Sequence, residues 1–73
     1  MRYAVVIEPG DANSPNLSAY VPDLPGCVAT GATESEVLTR LTEAIAMHLQ
    51  GLREDGLPVP PPSARGAYVD VAA

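Results

Sequence analysis

Five carboxylates are the side chains of this chain that could hold divalent metal ions. Hydrolysis of a phosphodiester by two metal ions needs three or four carboxylates that converge on ions about 3.5–4 Å apart. No sequence spacing brings three of the candidates together. The sequence therefore predicts no metal ion, no cofactor and no catalytic residue, and a metal nuclease remains only as an alternative. The candidates are Glu8, Asp11, Asp23, Glu43 and Asp70.

Cys27 and His48 are the second pair of side chains that could do chemistry. A cysteine acts as a nucleophile only when a base lies beside it, and no third group that would orient His48 is evident. Free cysteines are commonly small buried hydrophobes, so Cys27 is expected in the core as a reduced thiol. His48 lies among apolar helix residues, which indicates a core or subunit-interface position. The alternative is a contact whose strength changes with pH.

The length of 73 residues allows one domain, residues 1–73, with a small core. A chain of this size buries only about 60% of the surface that its unfolded form exposes. One cysteine excludes an internal disulfide, so oligomerisation is the remaining way to complete the core. We expect a homo-oligomer, a dimer or a tetramer, with Val6 and His48 in the core or at the interface.

The charge of the chain is strongly acidic, with nine carboxylates, four arginines, no lysine and a formal net charge of −5. Binding to a phosphate backbone draws its affinity from clustered positive charge. The composition therefore predicts no direct binding of nucleic acid. The same charge would attract a basic protein partner, and simple solubility is the alternative explanation.

One face of the predicted helix lies on the side away from the core and carries three glutamates. Residues recur along this face at steps of four and three: Glu36, Arg40, Glu43, Met47, Gln50 and Glu54. We call this face the acidic strip. An adaptable apolar methionine lies at its centre. The hypothesis is that the strip binds a partner, and the alternative is an ordinary solvated face. The strip comprises Glu36, Glu43, Met47 and Glu54, and Asp23 is assigned to the same candidate set.

The elements that would position these residues follow the order β-β-β-α-β. Runs of β-forming residues predict the strands, and Thr33 with Glu36 forms a capping box at the start of the helix. The expected fold is α+β, with one helix packed on a four-stranded, mostly antiparallel sheet. The predicted strands cover residues 2–8, 17–21, 27–30 and 67–71.

The segment Pro22–Cys27 carries two prolines and a glycine within five residues. Each proline fixes φ and removes a hydrogen-bond donor, and Gly26 lets the chain turn where a side chain would clash. The composition predicts a stiff, defined crossing between two strands.

These motifs, taken in order, resemble the HicB-like antitoxin family. The resemblance covers roughly residues 2–63. It mildly departs from the family pattern at Val37, where the family more often has alanine. The motifs are the Pro-Asp-Leu-Pro-Gly-Cys run, Gly31-Ala32-Thr33, Glu43-Ala44-Ile45, Gly51-Leu52 and the segment 55–60.

The resemblance implies a shortened ribonuclease-H-like fold, similar to a nuclease that has lost its active site. It also implies an antitoxin that binds and sterically neutralises a small basic HicA-type toxin, a ribonuclease that cuts messenger RNA. A homo-oligomeric binding module that has lost its toxin is the alternative.

The expected form is short, without the C-terminal DNA-binding module of longer family members, so operator binding does not carry over. No targeting segment or membrane span is expected, which predicts a cytoplasmic protein.

Overall fold

The computed structural model describes residues 1–72 and consists of a small antiparallel sheet covered by one long helix. The sheet has the strand order β1-β2-β3, and the helix packs mainly on β2 and β3. The predicted α+β class, with three antiparallel strands before a single helix, is confirmed. The elements are β1 (Val6–Glu8), β2 (Leu17–Tyr20), β3 (Val28–Gly31) and α1 (Glu34–Glu54).

The register of the sheet separates an inner face from an outer face. Ala19 lies in the middle of β2 and is buried beneath the helix, and its partners across the sheet are Ile7 and Ala29. Because side chains alternate along a strand, the residues one position away from these three on each strand point away from the helix. We call one row of them the outer row. It consists of Val6, Tyr20 and Val28, which are paired in register.

The four-stranded sheet is not confirmed, because the structure has no strand over residues 67–71. The ribonuclease-H-like fold that was expected with it is not confirmed either. The first strand is also shorter than residues 2–8, since only Val6–Glu8 pairs. A physical reason for the missing fourth strand lies in the segment just before it, residues 57–66, which we call the connector. It contains four prolines, which cannot donate to a ladder, and it reaches the sheet edge without pairing.

The start of α1 has the predicted cap. The backbone of Thr33 is extended, and its Oγ1 accepts a hydrogen bond from the Glu36 backbone N–H at 3.1 Å. This bond satisfies one of the donors that the first helical turn leaves unpaired. The adjoining end of β3 approaches the helix closely, since a Cβ on Gly31 would lie 2.8 Å from the Val37 backbone nitrogen. Glycine at this position therefore allows the strand and the helix to meet.

The end of α1 is a Schellman motif centred on Gly56, which has φ of 69°. The Leu57 N–H donates to the Leu52 carbonyl at 2.9 Å, and the Gly56 N–H donates to the Arg53 carbonyl at 3.1 Å. The predicted end of the helical pattern at Gly56 is confirmed. No helix in residues 1–72 has the length and apolar character that crossing a bilayer requires.

The segment Pro22–Cys27 forms two consecutive turns, as its composition predicts. The Leu24 N–H donates to the Val21 carbonyl at 3.0 Å, and the Cys27 N–H donates to the Leu24 carbonyl at 3.1 Å. Gly26 has φ of 83°, which together with Pro25 before it gives the second turn type II character. Between the turns, the Leu24 side chain is completely buried, with 0% exposed.

The core lies between the helix and the inner face of the sheet. The two turns contribute to it as much as the strands do, because Leu24 and Cys27 both belong to it. The expectation that Cys27 is a buried hydrophobe is confirmed. The buried residues are Ala19, Val21, Leu24, Cys27, Val37, Leu41 and Leu49.

Candidate partner-binding surface

The acidic strip lies on the solvent side of α1. The opposite side of the helix buries Val37, Leu41 and Leu49 against the sheet, which turns the strip outward. Met47, at the centre of the strip, is 73% exposed, an unusual position for so large an apolar side chain. An exposed methionine one helical turn from Glu43 and two turns from Glu54 offers an apolar contact with negative charge on both sides of it.

Glu36, at the start of the strip, is largely neutralised within the chain. Its Oε1 lies 2.9 Å from the Arg40 Nη2, and the Arg40 Nη1 donates to the Thr30 carbonyl at 3.0 Å. An exposed pair of this kind, four residues apart, stabilises a helix by about 0.3–0.5 kcal/mol. The arginine therefore ties the helix to β3, and Glu36 adds little net charge to the strip.

Glu43 and Glu54 carry most of the free negative charge of the strip. Glu43 is exposed and forms no salt bridge within residues 1–72. Glu54 accepts a hydrogen bond from the Gln50 amide at 3.0 Å, which leaves its charge unpaired. The two glutamates are eleven residues apart, or about 16 Å along the helix axis. Met47 lies between them.

Asp23 lies apart from the helix, in the first of the two turns, and holds the connector. Its carboxylate accepts hydrogen bonds from the Ser63 N–H at 2.9 Å, the Ser63 hydroxyl at 2.8 Å and the Ala64 N–H at 3.0 Å. The Tyr3 hydroxyl provides a second attachment, since it donates to the Pro60 carbonyl at 2.6 Å. Asp23 therefore joins two parts of the chain that are about forty residues apart.

These hydrogen bonds lower the pKa of Asp23 below its ordinary value of 3.8, with the Ala64 N–H contributing most and the Ser63 N–H next. A carboxylate whose pKa is lowered by folding stabilises the folded form above its unfolded pKa. That contribution disappears as the pH falls through the folded pKa. The attachment of the connector should thus be complete at neutral pH and weaken only in strong acid.

We expect Asp23→Asn to release the connector. The side chain keeps one accepting oxygen in place of two, and its new NH₂ group cannot accept a hydrogen bond from the N–H groups of Ser63 and Ala64. In NMR spectra at neutral pH, the Ser63 and Ala64 amide signals should move toward random-coil positions and exchange faster with solvent. The core amides of Val37 and Leu41 should not change. Asp70→Asn, in an exposed part of the chain, is the matched control. Unchanged Ser63 and Ala64 signals in Asp23→Asn would contradict this role.

The remaining candidates for chemistry are not brought together. Cys27 is buried, and burial raises the pKa of its thiol, which keeps it in the unreactive protonated form. His48 is half-buried on α1. Within the described part of the chain, no three side chains of the metal-binding types lie close enough to share an ion.

The sequence interpretation missed two surfaces. The outer row is one, because its three members become neighbours only through the strand register. The other is a cleft of about 550 Å³ beside the connector, between Arg2 and Arg65. These two of the four arginines lie far apart in sequence, so no local pattern could have linked them. Neither surface overlaps the acidic strip.

Comparison with known proteins supports the resemblance seen in the motifs. The profile of a family described as the HicB-like antitoxin of bacterial toxin-antitoxin systems matches residues 3–72. A protein of Haemophilus phage HP1, described as an uncharacterized 14.9 kDa protein in the rep-hol intergenic region, is 38% identical over 50 residues. That match covers 68% of this chain and 38% of the phage protein. No solved structure matches significantly. Because the family profile spans nearly the whole sequence, the chain belongs to the HicB-like antitoxin family.

Proposed function

We propose that this protein is an antitoxin that binds and sterically neutralises a small basic HicA-type toxin, a ribonuclease that cuts messenger RNA. Family membership over residues 3–72 carries the proposal, because the family is defined by antitoxins of toxin-antitoxin systems. The net charge of −5 supports it, since a basic RNA-binding toxin would be attracted to an acidic surface.

The exposed face of α1 is the surface that best fits such a partner. A helix of 21 residues is about 32 Å long, enough to lie across the substrate groove of a small protein. Glu43 and Glu54 would stand where the toxin otherwise holds RNA phosphates, and Met47 would pack against an apolar part of the groove. Arginine side chains bind carboxylates and phosphates with the same fork of donors. Neutralisation would follow from occupation of the groove, without any chemical step by the antitoxin.

The same proposal includes a homo-oligomer in the cytoplasm that does not bind nucleic acid by itself. The outer row supports self-association, because the exposed Tyr20 and Val28 and the half-buried Val6 are neighbours in register on a small domain. The acidic surface opposes contact with phosphate backbones.

The test is co-purification of the tagged protein from its native host at low and moderate salt, followed by RNA cleavage assays with the captured protein. We expect a small basic ribonuclease at a stoichiometric ratio, released as salt rises. Cleavage of messenger RNA by the separated toxin should stop when the antitoxin is added back at an equal molar amount. Recovery of only the tagged protein and its own copies would instead favour a binding module without a toxin.

A further inference from the structure

The outer edge of β1 is an unpaired sheet edge. β1 pairs with β2 on one side, and among the described residues no strand pairs with it on the other. An exposed edge presents a row of free N–H and C=O groups that can bind another strand. Charged residues and proline commonly protect such edges, and in β1 they lie only at its end, as Glu8 and the following Pro9, which leaves Val6 and Ile7 without them.

Residues 67–71, which we call the C-terminal tail, have the composition of a strand without a partner. The Tyr68 side chain is fully exposed, and Val69 and Val71 are 83% and 79% exposed. β-branched and aromatic residues are the types enriched in strands. Three large exposed apolar side chains within four residues, with Asp70 between the last two, leave surface in water that association would bury, at about 25 cal/mol per Å².

The tail lies beside β1 of its own chain without pairing to it. A cleft of about 620 Å³ touches both. It is lined by Val5, Val6, Ile7 and Pro9 in and around β1, by Leu17 and Glu34, and by Gly66, Ala67 and Tyr68 at the start of the tail. The attachment of Ser63 and Ala64 to Asp23 holds the start of the tail in this position.

We propose that the tail of each copy adds as a strand to the outer edge of β1 in a second copy, in a reciprocal dimer. The arrangement is self-complementary, as a two-fold dimer requires, because every chain carries one free edge and one free strand. The strand that pairs with β1 comes from a second copy of this chain, so no other protein is needed. This inference does not depend on the proposed toxin binding.

The exposed apolar side chains of the tail would supply part of the surface that a stable dimer buries. A buried tyrosine accounts for about 150–250 Å², so the two copies of Tyr68 would supply about 300–500 Å². A stable specific interface buries about 1,200–2,000 Å² in total. The other contributions would come from Val69, Val71 and the outer row of each copy, with Val6 on the strand that receives the tail.

The first test is the mass of the full chain in solution, measured by light scattering, with Val69→Pro and Val69→Thr as the variant and its control. Val69→Pro removes a ladder donor from an exposed position, so the dimer should become a monomer that keeps its circular dichroism. Val69→Thr keeps the donor and the β-branch and should remain a dimer. A monomeric wild-type chain, or a Val69→Pro dimer, would overturn the proposal.

The second test identifies which copy receives the tail. In a dimer mixed from labelled and unlabelled chains, isotope-filtered NMR should show contacts between Tyr68 or Val71 of one chain and β1 of the other. Contacts found only within the labelled chain would show that the tail closes on its own sheet, which would overturn the exchange. A failed toxin capture would leave both outcomes unaffected.

Discussion

Leu24→Ala should lower the free energy of unfolding by about 2–5 kcal/mol, the usual cost of removing a buried leucine side chain. Leu24 is completely buried, although it lies in a loop between two turns. A domain of 73 residues has a total stability of about 4–11 kcal/mol. The substitution would therefore remove a large share of the stability, and Leu24 anchors the proline-rich crossing to the core.

Urea denaturation at neutral pH would measure this effect as a lower midpoint with an unchanged slope. Leu57→Ala is the matched control, because Leu57 is more than half exposed and lies just beyond the helix. Its cost should stay below about 1 kcal/mol. Equal losses in the two variants would show that Leu24 has no special place in the core.

The elements set by local chemistry could be predicted from the sequence. Thr33 and Glu36 mark the start of the helix and Gly56 marks its end, because capping and left-handed backbone depend on residues a few positions apart. The turn at Pro25-Gly26 is of the same kind. The complete burial of the Leu24 side chain was not predicted, since nothing in the sequence pattern distinguishes a buried loop leucine from an exposed one.

The predicted fourth strand, which is not confirmed, shows where local pattern is insufficient. The run from Ala67 to Val71 has the composition of a strand, but pairing also depends on where the chain enters the sheet. Shortly before that point, Ser63 is attached to Asp23, a contact across forty residues that a local pattern does not contain. Asp23 was predicted to be one of the partner-binding residues. The structure shows that its oxygens also bind the chain itself, at Ser63 and Ala64, which no sequence spacing indicates.

For the candidate surface, the sequence predicted which residues share one face of the helix. It did not predict which of their charges are neutralised within the chain. Spacing alone placed four residues on one face, and the structure places them on the solvent side. It could not show that Arg40 reaches both Glu36 and the Thr30 carbonyl. The carboxylates available to a partner are therefore concentrated at Glu43 and Glu54. A variant that reverses these two charges is consequently the sharpest probe of the strip.

Glu43→Lys combined with Glu54→Lys should slow association with the basic toxin by about 10-fold or more at low salt. Each substitution adds two units of positive charge, so the net charge changes from −5 to −1. Stopped-flow mixing at several salt concentrations would measure the rate, and its dependence on salt should weaken in the variant. Met47→Ala should act differently, with faster dissociation, because it removes apolar contact rather than charge.

Glu8→Lys is the matched control for Glu43→Lys, because both give a net charge of −3 and both side chains are exposed. If attraction by the whole molecule governs association, the two single variants should slow it equally. If the strip itself meets the toxin, Glu43→Lys should slow association more and should also speed dissociation, since a lysine would then face a cationic groove at short range. Normal binding by the double variant would remove the strip as the toxin surface. The family assignment would stand, and the outer row or the Arg2–Arg65 cleft would become the surface to test.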